Sequence, residues 1–384
     1  MSSEYKDCVA DTAVEIVGAG PAGLAAALGI VKQGGRAIVY ERRNEVGSRF
    51  HDDLQGLENW TTQGDVLEEL ADIGIETNFS ATPFHEAVLF DPGGGRHVYR
   101  SEQPMAYIVH RGAVAGSLDL GLKQQALDAG VEIRFGQARG QLAHGGIVAG
   151  GPHGADAIGV GYLFDTDMAD GAYIALSNTL APQGYAYLLI QGGRGTLMSW
   201  MYDDFHNEQR YLENSVDFFH DRLGLEMEQP RRTGGAANFS YPRSARKGKL
   251  LYVGEAAGFQ DALWGFGMRY AMLSGHLAAR ALLTGQDYDR LWQRRLGPLL
   301  RAALVNRYIY RRLGNRGYDR LLRSIDRALS LRQDGRGWLH GYTAPRWWKQ
   351  LCFPFVQRAL PSRRAQRDIP ADGCDCTWCR CRSA

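Results

Sequence analysis

No run of eighteen or more apolar residues occurs in this chain, so the sequence predicts no transmembrane helix. Met1 to Thr12 is polar, carries both charge signs, and lacks the basic and apolar regions of a secretory signal. A cytoplasmic protein is therefore expected. Internal repeats are missing too, and 45% hydrophobic with 22% charged residues excludes a disordered or collagen-like chain. Cysteine is scarce through most of the sequence. Cys8 and Cys352 stand alone, and the other four of six crowd the C-terminus. That distribution is not a disulfide framework. The net charge is only +2, and no nucleic-acid partner is expected. The small net value hides an asymmetry: Gln286 to Pro370 holds nineteen Lys/Arg against six Asp/Glu. Such polarity suits an anionic partner or a membrane surface, or it forms solvated arginine faces on surface helices.

What is present is alternation of strands and helices. Thr12–Val17 is an apolar run ending in Gly-Ala-Gly. Pro21–Val31 is rich in Ala and Leu, and Arg36–Tyr40 is a second apolar run closed by Glu41. This reads as strand, turn, helix, strand. Ser48–Asn59 shows no clear period and reads as a functional loop. Helices are expected over Asp65–Ile73, Val114–Ala129, Glu208–Leu223 and Phe266–Leu283, and from Arg290 to about Arg332. Ala87–Phe90 and His97–Tyr99 flank Pro92-Gly93-Gly94-Gly95 as a hairpin. Ile158–Phe164, Ala172–Leu176, Gly184–Ile190 and Thr196–Met201 alternate like antiparallel strands.

Gly18-Ala19-Gly20-Pro21-Ala22-Gly23 has dinucleotide-binding spacing in its required context, after a strand and opening a helix. Gly18 permits the tight turn, Gly20 lets backbone approach a pyrophosphate, and Gly23 allows helix to pack on strand. The helix N-terminus offers free N–H groups and the positive end of its dipole. Glu41, eighteen residues past Gly23, is placed to accept hydrogen bonds from adenosine ribose hydroxyls. The motif alone does not separate FAD from NAD.

Two further segments do. Leu251-Tyr252-Val253-Gly254-Glu255-Ala256-Ala257-Gly258 is a strand entering a second glycine-rich turn. It continues through Trp264-Gly265-Phe266-Gly267-Met268 into a small-residue helix. This resembles the second FAD motif of the glutathione-reductase-type flavoproteins, in the form seen in the geranylgeranyl reductase family, within a p-hydroxybenzoate-hydroxylase-like fold. The resemblance spans Thr12 to Leu283, strongest in the two glycine-rich segments. It implies one FAD, with Glu255 on the ribityl chain and Gly265, Gly267 and Met268 offering N–H groups to the flavin N1/O2 edge. Glu255 stands where the family usually has Asp. The resemblance also places Arg111 on the pyrophosphate; a surface arginine at a helix start is the alternative. Ala22, Arg42, Arg49, Gly254 and Gly258 complete the expected cofactor set. The implied fold is α/β: a Rossmann-type FAD-binding domain (1–50, 105–155 and 245–285), an inserted antiparallel β-rich substrate domain (51–104 and 156–244), a helical basic region (286–370) and a cysteine-rich tail (371–384).

The same resemblance implies reduction of C=C bonds in an isoprenoid or polyprenyl lipid-like substrate. Pro182-Gln183-Gly184-Tyr185-Ala186-Tyr187 resembles the family's pocket-lining strand, with Tyr187 where Trp is common. Tyr185 and Tyr187 are otherwise ordinary core aromatics. His51, Tyr185 and Tyr187 are proton-donor candidates by position. A flavin monooxygenase of the same fold is an alternative. Gly154-Ala155-Asp156-Ala157 carries Ala157 where such enzymes have Gly, which argues against a simple NAD(P)H-driven hydroxylase and suggests another electron source such as a ferredoxin or a reduced flavin system; the expected donor is a ferredoxin or NAD(P)H. A non-catalytic flavin sensor or assembly factor is a third reading.

Cys374, Cys376, Cys379 and Cys381 place four thiols within eight residues. They are open to three readings: unliganded tail cysteines, a site for Zn or another thiophilic metal, or a redox or cluster role. Trp338 to Arg364 is aromatic and basic. Trp347, Trp348, Phe353 and Phe355 either anchor a peripheral contact with the inner membrane face or cap the core.

Overall fold

The computed structural model describes residues 13–360, apart from 141, 143, 153, 331 and 332. The cysteine tail, Cys8 and the end of the basic stretch lie outside the described residues. The fold is α/β, with a Rossmann-type sheet, a mixed, largely antiparallel sheet and C-terminal helices.

Strands Val14–Val17 and Ala37–Tyr40 pair in parallel, with Val14 opposite Ala37. Helix Pro21–Val31 connects them, and Pro21 at its first turn pre-sets the helical φ. Its residues from Ala22 to Ile30 are all buried, because helix Met268–Thr284 covers it as well as the sheet. Small residues make that approach possible: a Cβ on Gly275 would lie 2.1 Å from the Ala22 carbonyl oxygen. This is why the first helix reads as uniformly apolar rather than amphipathic. The sheet is completed in the order Arg246–Lys247, Leu250–Tyr252, Gly146–Val148, Val14–Val17, Ala37–Tyr40, Glu132–Arg134.

The seven-stranded sheet runs Glu228–Ala237, Ala157–Asp165, Arg194–Met201, Tyr185–Gln191, Gly171–Ala175, Glu86–Phe90, Arg96–Arg100. All its pairings are antiparallel except that of Gly171–Ala175 with Glu86–Phe90. Alternation along Tyr185–Gln191 gives this sheet two apolar faces. Ala186, Leu188 and Ile190 are buried in the cluster that holds Leu212 and Phe219 of helix Glu208–Leu223. Tyr185, Tyr187 and Leu189 face the other way, into a cavity.

The segment expected to be a loop, Ser48–Asn59, contains a strand, His51–Glu58. It pairs antiparallel with Ala106–Gly112, which also pairs with Ala81–Phe84. Arg111 therefore lies within a strand, and the following helix is Leu118–Asp128, starting later than the expected Val114. Ser117 caps that helix by accepting the Leu120 N–H, which fixes its start.

The basic C-terminal region folds as helices Tyr288–Arg295, Gly297–Tyr310, Gly314–Leu329, Gly335–Thr343 and Trp347–Ala359. Gly314, at φ +57°, separates the second from the third. Tyr318, Leu322, Ile325 and Leu329 form the buried seam of the third helix, packed with Tyr99 and Leu176 of the seven-stranded sheet.

Candidate active site

The three glycines of the first turn have different duties. Gly18 has φ +99°, and a Cβ there would meet the Ala149 carbonyl oxygen at 2.6 Å. A Cβ on Gly23 would fall 1.9 Å from the Gly18 carbonyl oxygen. Both glycines serve the fold itself. A Cβ on Gly20 would meet nothing within 4 Å, and Gly20 opens on the cavity. Gly20 is also the N-cap of its helix, with no side chain supplying a capping bond. The Glu41 carboxylate accepts hydrogen bonds from the N–H groups of Ala19 and Arg43, each at 2.9 Å. It holds the turn against the end of the second strand. Arg42 is exposed beside it at the cavity wall.

The second glycine-rich segment joins the same cavity. The Gly254 N–H donates to Ser274 Oγ at 2.8 Å, and Gly254 and Gly258 both have positive φ. Glu255 faces Arg49 at 3.3 Å, and Arg49 also donates to the Ala236 carbonyl. Gly267 is the N-cap of the helix opening at Met268, again with no side-chain cap. Gln260 donates to the Gly265 carbonyl, while its Oε1 is buried with no hydrogen-bond partner. Arg269, almost wholly buried, pairs with Glu69 and Glu58 and fixes the first turn of this helix.

Arg111 is not a free surface arginine. It makes a two-pronged pair with Asp119, at 2.8 and 3.0 Å, and lies over the Phe50 ring at 4.4 Å. Arg49 approaches the same ring at 5.5 Å.

His51 opens a β-bulge. Asp52 adopts φ 77°, and its carboxylate meets His110 Nδ1 at 2.7 Å. The extra residue turns Asp53 inward. Asp53 is 2% exposed, lines the cavity, and accepts from the His51 N–H at 2.7 Å and the Thr233 hydroxyl at 3.2 Å. Burial pushes its carboxyl above the ordinary range, against those two hydrogen bonds and the nearby Arg111 charge. Sequence reasoning passed over Asp53. Its only signal was an acidic pair set in a stretch that lacked a strand period.

Of the named proton-donor candidates, His51 is exposed at the cavity wall. Tyr185 donates to the Trp264 carbonyl at 2.6 Å, so its proton is already engaged. Burial drives the hydroxyls of Tyr185 and Tyr187 well above their usual pKa.

Gly18, Gly20, Ala22, Glu41, Arg42, Arg49, Arg111, Glu255, Gly265, Gly267 and Met268 border one cavity of about 1560 Å³, together with His51, Asp53, Tyr185 and Tyr187, whereas Gly23, Gly254 and Gly258 lie behind its wall. One end is the Gly18–Ala22 turn with Glu41. The loop Gly47–His51, Glu255 and the turn Gly265–Met268 border its middle. Its far end is apolar, between Ile174, Tyr187, Leu189 and Met198 of the sheet and Leu322, Ile325 and Leu329 of the third C-terminal helix. Trp60 meets Trp264 edge-on at 5.9 Å and Phe266 at 4.8 Å, and Trp264 stacks toward Tyr342 at 6.1 Å.

The residues fit an adenine dinucleotide carrying a ring system. There is unfilled space over Gly20, two helix N-termini lack side-chain caps, and Gln260 Oε1 is an unpartnered acceptor beside the second of them. Among the described residues no group of three or more His, Cys, Asp or Glu is placed to hold a metal. The four tail cysteines lie outside the described residues.

A family model described as an NAD(P)-binding Rossmann-like domain matches residues 16–77. The chain is 24% identical to a digeranylgeranylglycerophospholipid reductase of Haloferax volcanii, over 82% of this chain and 89% of that protein. It is also 24% identical to one of Thermoplasma acidophilum, over 77% and 85%. Among solved structures it resembles a geranylgeranyl bacteriochlorophyll reductase-like protein of Thermoplasma acidophilum, with TM-score 0.67 and 21% identity over 91% of this chain and 98% of that one. A flavin-dependent brominase shares the fold at TM-score 0.61 and 15% identity, over 93% of this chain and 100% of that one.

Proposed function

We propose that this chain, similar over most of its length to digeranylgeranylglycerophospholipid reductases, is an FAD-dependent oxidoreductase of the geranylgeranyl reductase family that reduces carbon–carbon double bonds of an isoprenoid lipid-like substrate. The observation that carries the reading is the size and lining of the cavity. At about 1560 Å³ it exceeds the roughly 300–1,000 Å³ of a pocket for one small ligand. Its lining joins the polar, glycine-rich turns to apolar side chains of the seven-stranded sheet and the third C-terminal helix. An apolar tunnel holds an isoprenoid by length, since each buried CH₂ contributes about 0.8 kcal/mol. A hydroxylase for a small phenolic acid would need a compact site with a cationic anchor instead.

In this reading Gly20 and Ala22 present backbone to the pyrophosphate, Gly18 and Gly23 shape the turn that places them, and Glu41 takes the ribose. Arg42 and Arg49 supply positive charge along the dinucleotide, and Arg111 holds Phe50 and Asp119 at the loop beside it. Glu255 borders the ribityl chain, on the turn that Gly254 and Gly258 shape with their positive φ. Gly265, Gly267 and Met268 offer N–H groups to the ring edge, where negative charge is stabilised by preorganised donors. Bound FAD supplies the hydride-transfer chemistry. Asp53, whose carboxyl burial raises above the ordinary range, is the proton donor; the His51 N–H and the Thr233 hydroxyl donate to its two oxygens. Trp60, Trp264 and Phe266 exclude water between the polar and apolar ends.

A ferredoxin-like protein or reduced flavin system, rather than NAD(P)H, is proposed as electron source. The test is anaerobic: reduce the loaded protein with dithionite, add a polyprenyl lipid, and follow flavin absorbance with mass spectrometry of the lipid. Reoxidation with gain of two hydrogens per double bond supports the reading. Failure with every polyprenyl compound, together with oxygen-dependent turnover of a small aromatic, rejects it.

A further inference from the structure

Helix Trp347–Ala359 turns three large apolar side chains to solvent. Trp347, Leu351 and Phe355 are 75%, 71% and 65% exposed, and their spacing of four places them on one helix face. The helix is not loose: Phe353 and Val356 are buried on its other side, with the Phe353 ring 4.9 Å from that of Tyr241. The stripe continues onto helix Gly297–Tyr310. Phe355 meets the Tyr308 ring edge-on at 5.9 Å, and the adjacent Ile309 is 40% exposed. Five large hydrophobics stand exposed among the described residues, and four of them belong to this patch. A single exposed Leu needs no explanation; a contiguous aromatic and aliphatic patch does.

The rim of the patch is cationic. Arg346 is exposed at the start of the helix and Arg358 at its end. Arg312 lies on the Tyr308 ring at 3.6 Å. From Gly335 to Arg367 the sequence holds seven Lys/Arg and no Asp or Glu. Among the described residues, no helix is long and apolar enough to cross a membrane.

We propose that this face docks on the surface of a bilayer containing anionic lipid. Trp347, Leu351 and Phe355 enter the boundary between headgroups and acyl chains, and Arg346, Arg358 and Arg312 meet the phosphates. A second copy of the chain is a poorer occupant, because a two-fold contact would set the same arginine rim against itself. Three residues, Ala344 to Arg346, join this helix to Gly335–Thr343, whose Trp338 and Leu339 line the cavity. The docking face is thus one short link from the cavity wall.

The proposal stands on exposure and charge, not on the reductase reading, so the two fail separately. Full-length, FAD-loaded protein is sedimented with vesicles of phosphatidylcholine alone or mixed with phosphatidylglycerol. Binding to the mixed vesicles is expected, weakened about tenfold or more by the triple variant W347S/L351S/F355S, which removes the inserted surface. The pair R346Q/R358Q should weaken binding by about tenfold and flatten its salt dependence. Both variants should keep the wild-type melting temperature and flavin content, since the altered side chains are exposed. Wild-type protein that ignores anionic vesicles overturns the proposal. So does a triple variant that binds them as tightly as wild type, or light scattering that finds a dimer which the triple variant dissolves.

Discussion

Arg49 and Glu255 meet at 3.3 Å, although 206 residues separate them. The pair ties the loop after the second Rossmann strand to the second glycine-rich turn. Both side chains are only partly buried, so the pair contributes little to stability by itself. Its value lies in closing the cavity wall around the middle of the cofactor. Glu255→Gln keeps the length and removes the charge. It should weaken FAD retention by about 1–2 kcal/mol, roughly tenfold, while shifting the stability of the FAD-free protein by less than about 1 kcal/mol. Isothermal titration with FAD and denaturant unfolding of the stripped protein check the two halves separately.

Gly20 and Gly23 should respond in opposite ways. Nothing lies within 4 Å of a Cβ on Gly20, so Gly20→Val should fold and remain colourless, its side chain occupying the space of the pyrophosphate. At Gly23 the clash is with backbone, at 1.9 Å, and the neighbour cannot yield cheaply. Gly23→Ala should therefore lose stability before it loses cofactor, by about 1–3 kcal/mol as overpacking does. Visible absorbance and melting of both variants decide it. Full flavin content in Gly20→Val would mean that the site is misplaced.

The two glycine-rich turns were legible because their information is local: spacing, a preceding strand and a following helix. The strand His51–Glu58 was not. It buries Asp53 on one face and Glu58 on the other, which no alternation rule marks as core. They are buried because distant residues satisfy them: Thr233 for Asp53, and Arg269 for Glu58. Arg111 was legible as a charge near the site. Its engagement with Asp119 was not, since that depends on how the strand and helix Leu118–Asp128 pack. The apolar character of Trp347, Leu351 and Phe355 was visible in the sequence, but their exposure was not, because a buried helix would use the same residues.

Asp261 offers a pH test. Burial raises its carboxyl from the ordinary aspartate range to about 6, against the N–H groups of Trp264 and Leu263, whose hydrogen bonds it accepts. Between about pH 4 and pH 6 the folded chain then holds more protons here than the unfolded chain. Stability from this group is full below about pH 4 and is lost as pH rises through 6. Relative to Asp261→Asn, the wild type should lose up to about 3 kcal/mol across that window. Urea unfolding of both proteins at pH 4 and pH 7 measures it. A wild type that gains stability relative to Asp261→Asn as pH rises would reverse the assignment.

Asp53→Asn tests the proton donor. The substitution keeps an acceptor for the His51 N–H or the Thr233 hydroxyl, so the fold and the flavin content should survive. Turnover should fall by about 10²–10⁴, the usual contribution of a positioned acid. Burial raises the Asp53 carboxyl, so wild-type turnover should decline on the alkaline side as this proton is lost, and the variant should lack that limb. Unchanged turnover in Asp53→Asn would remove Asp53 from the reaction and return attention to His51.

The apolar end of the cavity should act as a ruler. Ile174 lies on strand Gly171–Ala175 beside Tyr187, with the two residues directly opposite in register. Both line the cavity, across from Leu322 and Ile325 of the third C-terminal helix. Ile174→Trp would place an indole in this end, far from the glycine turns that take the dinucleotide. Flavin content should be unchanged. Long polyprenyl substrates should lose affinity in proportion to the methylenes they can no longer bury, at about 0.8 kcal/mol each, so four excluded carbons cost roughly two orders of magnitude. Short isoprenoids that never reach Ile174 should be reduced as before. The check is a competition between short and long chains in one anaerobic reaction, with products separated by mass. If Ile174→Trp slows both lengths equally, the chain does not lie along this wall. If it slows neither, the substrate does not enter the cavity from the side of the sheet.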